Sequence, residues 1–226
     1  SILHNCCCKR CVDPKRPSRM VPIGVLASGR GSNLDAVLDA IDNRYLTNSH
    51  VKVVISNRSN APALDVAKKH HVQTITLDDR GVPKKDWDYD QKTIAALKSY
   101  GVVPKEGLIV LAGYLRILSE QFVDLYPRRI INVHPALLPS FPGLEAQKQA
   151  LDHGVKVTGC TVHLVDREVD HGPIILQTAV AIRDDDTVET LSSRILREEH
   201  RILPEAIRLL TEDQLRFEGR RVLFKN

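Results

Sequence analysis

The chain has 226 residues, of which 42% are hydrophobic, 4% aromatic and 27% charged. That length and apolar content suit one globular domain with a full core and exclude a disordered chain. There are 32 basic and 28 acidic residues, but residues 1–20 hold five of the bases (Lys9, Arg10, Lys15, Arg16, Arg19) against Asp13 alone, so the remainder is balanced and offers no basic footprint for nucleic acid.

Val21–Ala27 is an apolar run that ends in Ser28-Gly29-Arg30-Gly31-Ser32-Asn33, after which Leu34, Val37, Leu38 and Ile41 recur at helical spacing. Val51–Ile55 is a second strand, Ala61–His70 a second helix with Pro62 in its first turn, and Val72–Thr76 a third strand. Asp78–Asp88, with Gly81 and Pro83, is predicted as a loop, Tyr89–Tyr100 as a helix, and Gly107–Leu111 as a strand running into Ala112-Gly113. This alternation predicts an α/β fold: a Rossmann-like, mostly parallel twisted sheet with helices on both faces. After Ile130–Val133 the rhythm changes, and Val155–Val165 with Pro173–Ile182 predict an antiparallel hairpin. Thr187–Leu210 is a long helix, with Asp186 as its expected cap and a kink expected at Pro204. Arg216–Phe224 is expected to add a last strand.

Four of the five cysteines, Cys6, Cys7, Cys8 and Cys11, lie in residues 1–20. Cys160 alone follows, so residues 21–226 cannot close an internal disulfide and suit a reducing, cytoplasmic compartment. The leader fits a zinc half-site, an oxidation-prone tail, or residues left by translation start or cloning; C-C-C-x-x-C without a second cluster is a weak metal signal. We expect residues 1–20 to be disordered or non-catalytic, residues 21–226 to form a single domain, and no metal in the site. No run approaches the roughly 18 apolar residues of a membrane helix, and no signal-peptide core is present.

Strand–SGRGSN–helix is a phosphate-cradle arrangement: Gly29 and Gly31 permit a tight turn, and Ser32 and Asn33 open a helix whose free N–H groups attract an anion. The third glycine of a dinucleotide fingerprint is missing, as is an acid after the second strand, which ends Ile55-Ser56-Asn57. A monophosphate ester fits better than NAD or ATP, and a plain tight turn is the alternative. In Ile130-Ile131-Asn132-Val133-His134-Pro135, period two puts Asn132 and His134 on one face at a strand end. Asn can donate to an oxygen that is becoming negative, and His can exchange protons near neutral pH; a turn Asn and an edge His are the plainer reading. Asp170, before Gly172 in the late hairpin, reads as a solvated loop acid unless the loop folds back to His134, where the carboxylate would favour a charged imidazole. His163 could pack near the same cleft or belong to the core. G-x-S-x-G and H-E-x-x-H are absent, and Cys160 has no local activating base.

The motifs A-S-G-R-G-S-N at 27–33, L-A-G-Y-L-R-I-L-S at 111–119, I-N-V-H-P-A-L-L-P-S-F-P-G at 131–143, G-C-T-V-H-L-V at 159–165, E-V-D-H-G-P-I-I at 168–175 and E-E-H-R-I-L-P at 198–204 run in one order. Together they resemble the folate-dependent phosphoribosylglycinamide formyltransferase family from residue 21 onward. The resemblance implies transfer of a formyl group from the co-substrate 10-formyltetrahydrofolate to the amine of glycinamide ribonucleotide in purine synthesis, by a formyltransferase-fold monomer or homodimer. It places the catalytic residues at Asn132, His134 and Asp170. The nucleotide contacts fall on Gly31, Ser32, Asn33 and Glu199, and the folate contacts on Leu115, Arg116, Ile117 and Leu118, with Asn132, Val169 and Asp170 beside them. Lys84, three residues before Trp87-Asp88, stands where the family often has an arginine near the folate tail; aligning on Tyr89-Asp90 gives Asp86 instead. A formyltetrahydrofolate hydrolase or another N-formyltransferase is the alternative on the same fold, and a nucleotide-sensing or RNA-associated protein that uses the basic leader is the non-enzyme alternative.

Overall fold

The structure is a computed structural model, and it describes residues 20–225. The expectations for the basic, Cys-rich leader, including its four cysteines, lie outside the described residues except at Met20. Seven strands form one sheet in the order β3-β2-β1-β4-β5-β6-β7. They are β1 (Val21–Leu26), β2 (Ser49–Ser56), β3 (Gln73–Thr76), β4 (Leu108–Leu111), β5 (Ile130–His134), β6 (Val157–Leu164) and β7 (Ile174–Ala181). Pairings among β1 to β5 are parallel, whereas β5–β6 and β6–β7 are antiparallel.

Helices α1 (Ser32–Asp42), α2 (Pro62–Lys69), α3 (Trp87–Ser99), α4 (Glu120–Leu125), α5 (Ala146–His153) and α6 (Val188–Thr211) connect or follow the strands. The sheet separates two cores. On one face Leu34, Val37, Ala63, Leu191, Ile195 and Ile202 bring α1, α2 and α6 onto the strands. On the other, Ile94, Leu97, Leu118, Phe122 and Tyr126 bring in α3 and α4. The strand order reverses between β1 and β4, and the crevice beyond their carboxyl ends is the switch point at which open α/β sheets seat ligands.

Two expectations are corrected, at the cap of α6 and in the tail. Thr187, not Asp186, caps α6: its hydroxyl accepts from Thr190 N–H at 3.3 Å while the Thr190 hydroxyl accepts from Thr187 N–H at 2.9 Å, a reciprocal box. Asp186 instead accepts from the Arg194 guanidinium at 2.6 Å. α6 continues through Pro204 as one helical span of 24 residues. The tail forms two strands, β8 (Leu215–Glu218) and β9 (Arg221–Phe224), apart from the main sheet; Gly219, at φ +59°, makes the two-residue hairpin turn. α4 and α5, at six and eight residues, were not foreseen.

Candidate active site

The loop after β1 is shaped by glycine. Gly31 adopts φ +81°, and a Cβ there would lie 2.6 Å from the Ala63 Cα. The Ala63 N–H also donates to the Gly29 carbonyl at 3.1 Å, so α2 buttresses the turn that opens α1. Asn33 donates through Nδ2 to Glu199 Oε2 at 2.7 Å across 166 residues of sequence, and its buried Oδ1 has no partner among the described residues. Glu199 is 6% exposed. Burial pushes its pKa up, against the Asn33 hydrogen bond and the nearby His134 and Arg30. These groups line a cavity of about 620 Å³ at the switch point, closed by Gly113, Gln147 and Ser193 among others. Arg30 is the one cationic side chain in that lining among the described residues.

Asn132 and His134 both sit on β5, and β6 places His163 directly opposite Asn132. The loop between β6 and β7 does fold back. Asp170 Oδ2 lies 3.4 Å from His134 Nδ1, and its Oδ1 lies 3.8 Å from His163 Nε2. Asp170 holds φ +52°, and its Oδ2 accepts from Gly143 N–H at 2.7 Å. The other ring nitrogen of His134, Nε2, is 2.8 Å from the Phe141 carbonyl oxygen, so only the doubly protonated ring can donate on both sides. His163 Nδ1 lies 2.9 Å from the Leu164 carbonyl and must carry the proton there, which leaves Nε2 to accept from Asn132 Nδ2 at 3.2 Å. Burial lowers the His163 pKa, which favours that neutral ring. His163 therefore fixes the direction of the Asn132 amide, a role its place in an apolar strand did not reveal.

The segment after β4 is anchored at alternate amides. Leu115 N–H donates to Ser28 Oγ at 2.9 Å, Ile117 N–H to the Lys84 carbonyl at 3.1 Å, and Ser119 N–H to Asp90 Oδ2 at 2.7 Å. Leu115, Ile117 and Val169 are exposed while Leu118 is buried. A small cavity of about 110 Å³ separates this segment from Asn132, His163 and Asp170. The Arg116 guanidinium is buried and held from three sides: it donates to the Pro83 carbonyl at 2.8 Å and to Asp79 Oδ2 at 3.2 Å, and lies 3.8 Å over the Tyr89 ring. Lys84 has an exposed side chain and meets the segment through its backbone carbonyl. Cys160 is fully buried, and burial pushes its thiol up to about 12, so it is no nucleophile.

A switch-point cleft with a carboxylate–imidazole pair and an amide at its edge is an arrangement suited to group transfer. A model of the family described as Formyl transferase matches residues 21–207, and the chain belongs to that family. It is 37% identical to the phosphoribosylglycinamide formyltransferase of Escherichia coli (strain K12), over 86% of the chain and 89% of that protein. The solved structure of glycinamide ribonucleotide transformylase 1 from Symbiobacterium toebii matches with a TM-score of 0.85 at 49% identity, covering 92% of this chain and 95% of that one. The chain is also 40% identical to the trifunctional purine biosynthetic protein adenosine-3 of Bos taurus over 91% of its own length, and spans 19% of that protein's length. No helix among the described residues is long and apolar enough to cross a membrane.

Proposed function

We propose that the chain transfers the formyl group of 10-formyltetrahydrofolate to the amine of glycinamide ribonucleotide, by direct attack without a covalent enzyme intermediate. The observation that carries this is the meeting of Asn132, His134 and Asp170 between a phosphate-type loop and an apolar segment with free edges. In this reading the amides of Gly31, Ser32 and Asn33 hold the phosphate at the start of α1, and the Asn33–Glu199 pair meets the sugar hydroxyls. Leu115, Ile117, Leu118 and Val169 flank the pterin, and the amides of Arg116 and Leu118, which lie between the anchored ones, bind its polar edge. Lys84 faces the folate tail.

As the amine attacks, the carbonyl oxygen of the formyl group becomes an oxyanion. Asn132 Nδ2 and the His134 ring stabilise it as donors, and Asp170 orients the ring and supports its charge. The amine loses one proton and the folate nitrogen gains one as the carbon–nitrogen bond to folate breaks. The cavity between the 165–170 loop and the 115–118 segment, at about 110 Å³, lies below the usual size of ligand pockets. No metal takes part in this reading, and the enzyme works in the cytoplasm as a monomer or homodimer. The test is production of tetrahydrofolate that depends on added glycinamide ribonucleotide. Formate release at the same rate without that acceptor would instead mark a hydrolase.

A further inference from the structure

Ser28 stands at the meeting point of the two loops that flank the switch point. Its N–H donates to the Gly113 carbonyl at 3.0 Å, and its hydroxyl accepts from Leu115 N–H at 2.9 Å. The same hydroxyl donates to Asn57 Oδ1 at 2.6 Å, and Asn57 Nδ2 donates to Asp79 Oδ2 at 2.8 Å. Asp79 Oδ2 also accepts from Arg116 at 3.2 Å. The bonds run from Leu115 through Ser28, Asn57 and Asp79 and return to Arg116, the next residue in the chain. Ser28, Asn57 and Arg116 are all buried, at 8%, 1% and 5% exposure. A closed circuit of buried hydrogen bonds behaves as a unit, because removing one member strands its neighbours away from water.

The position of this circuit gives it a function. Ser28 immediately precedes Gly29-Arg30-Gly31, the turn that opens the nucleotide cleft. Leu115 and Arg116 lie in the segment read above as the folate seat. Outside the circuit that segment is held by Lys84 and Asp90, which belong to the opposite layer of the fold, so the Ser28 hydroxyl is its direct side-chain link to the phosphate turn. A phosphate on the Gly31–Asn33 amides would load the turn to which Ser28 is joined, and the Ser28 hydroxyl would pass that load to the Leu115 amide. Coupling between sites is reciprocal, so folate on Leu115–Leu118 orders the phosphate turn by the same amount.

We propose that Ser28 is a positioning residue that couples the two seats, so that binding of the phosphorylated acceptor and of the folate favour one another. The inference rests on the functional reading above. The experiment is titration calorimetry on the full chain with glycinamide ribonucleotide, with and without saturating tetrahydrofolate, which has no formyl group to transfer. In the unmodified protein, tetrahydrofolate should tighten nucleotide binding by about fivefold or more. In Ser28→Ala each ligand should still bind alone, but the ratio of the two nucleotide dissociation constants should fall to within about twofold of one, as it does when a coupling term is lost. A purely structural role would lower the melting temperature and leave that ratio intact. Asp79→Asn keeps the side-chain shape while removing the charge that closes the circuit; it should lower the ratio partway, and it carries the test should Ser28→Ala not fold. Unmodified protein that binds both ligands without coupling, or Ser28→Ala or Asp79→Asn with full coupling, overturns this inference alone. Unmodified protein that binds neither ligand overturns the functional reading and this inference with it.

Discussion

The Phe141 carbonyl lies 2.8 Å from His134 Nε2, on the ring edge away from Asp170, whose Oδ2 is 3.4 Å from Nδ1. The imidazole is thus held between a carboxylate that orients it and a carbonyl that occupies its second donor position. For His134 to meet an oxyanion, the carbonyl must give way. Phe141, Gly143 and Glu145 all have positive φ, at +53°, +80° and +55°, so this turn is held by its contacts, including the Gly143 N–H on Asp170.

His134→Ala should lower kcat by about 10²–10³, the usual effect of deleting one oxyanion donor. The dissociation constant for the nucleotide should stay within about threefold, because His134 is not among the residues lining the phosphate turn. Asp170→Asn should also lower kcat while its shape preserves the loop. Steady-state kinetics paired with nucleotide titration checks both. Unchanged turnover in His134→Ala removes the imidazole from the mechanism.

Arg30 is the single cation in a cleft that also contains Glu189 and Glu199. Arg30→Ala should raise KM for the phosphorylated acceptor roughly tenfold, in keeping with loss of a charge-assisted hydrogen bond. It should also flatten the rise of KM with ionic strength and leave kcat little changed. The measurement is KM at low and high salt for both proteins. Equal salt slopes would show that the side chain stays in solvent.

Gly31→Ala forces a Cβ into the left-handed region and to within 2.6 Å of the Ala63 backbone. The left-handed conformation alone costs about 1–2 kcal/mol, and the contact must shift α2 or the turn. A lower melting temperature and a nucleotide dissociation constant raised at least tenfold are expected, readable by thermal denaturation and calorimetry.

His70, at the end of α2, meets Asp42 through Nδ1 at 2.8 Å and Asp35 through Nε2 at 3.1 Å, which ties α2 to α1. Burial opposes its charge, but the hydrogen bonds to these two aspartates prevail and the pKa is raised above its ordinary 6.5. A raised histidine pKa contributes stability that is fully present below the unfolded value and is lost as pH rises through the folded value. Melting of His70→Gln against the unmodified protein should therefore show a larger deficit at about pH 5.5 than at about pH 9. Equal deficits at both would make the contact independent of charge.

Much of this architecture is legible in residue order. The β1–α1 turn follows from Gly29 and Gly31 between an apolar run and a helical repeat, and the common face of Asn132 and His134 follows from strand period. Asp170 was readable only through resemblance, because its local neighbourhood is that of a solvated turn; its approach to His134 depends on φ +52° and on an amide 27 residues away. The Ser28 hydroxyl bridges partners 29 and 87 residues distant, a separation at which local pattern carries no information. The partners of the Arg116 side chain are hidden for a related reason: Asp79, Pro83 and Tyr89, which hold it, lie in what sequence shows only as a polar loop and a helix start. α4 is too short for helical periodicity to register, and α5 buries only Ala146 and Ala150, a weak apolar pattern.

The two cores on opposite faces of the sheet have a consequence for how such an enzyme diversifies. The cavity beside the glycine turn is lined from α1 and α6, and the smaller cavity beside the 115–118 segment lies on the face of the sheet that carries α3 and α4. Substitutions that retune recognition of one reactant repack one layer, and the strands insulate the other. If the two cavities seat the two reactants of the proposed reaction, one seat can be altered while the other is kept, provided the narrow polar bridge where the layers touch is left intact.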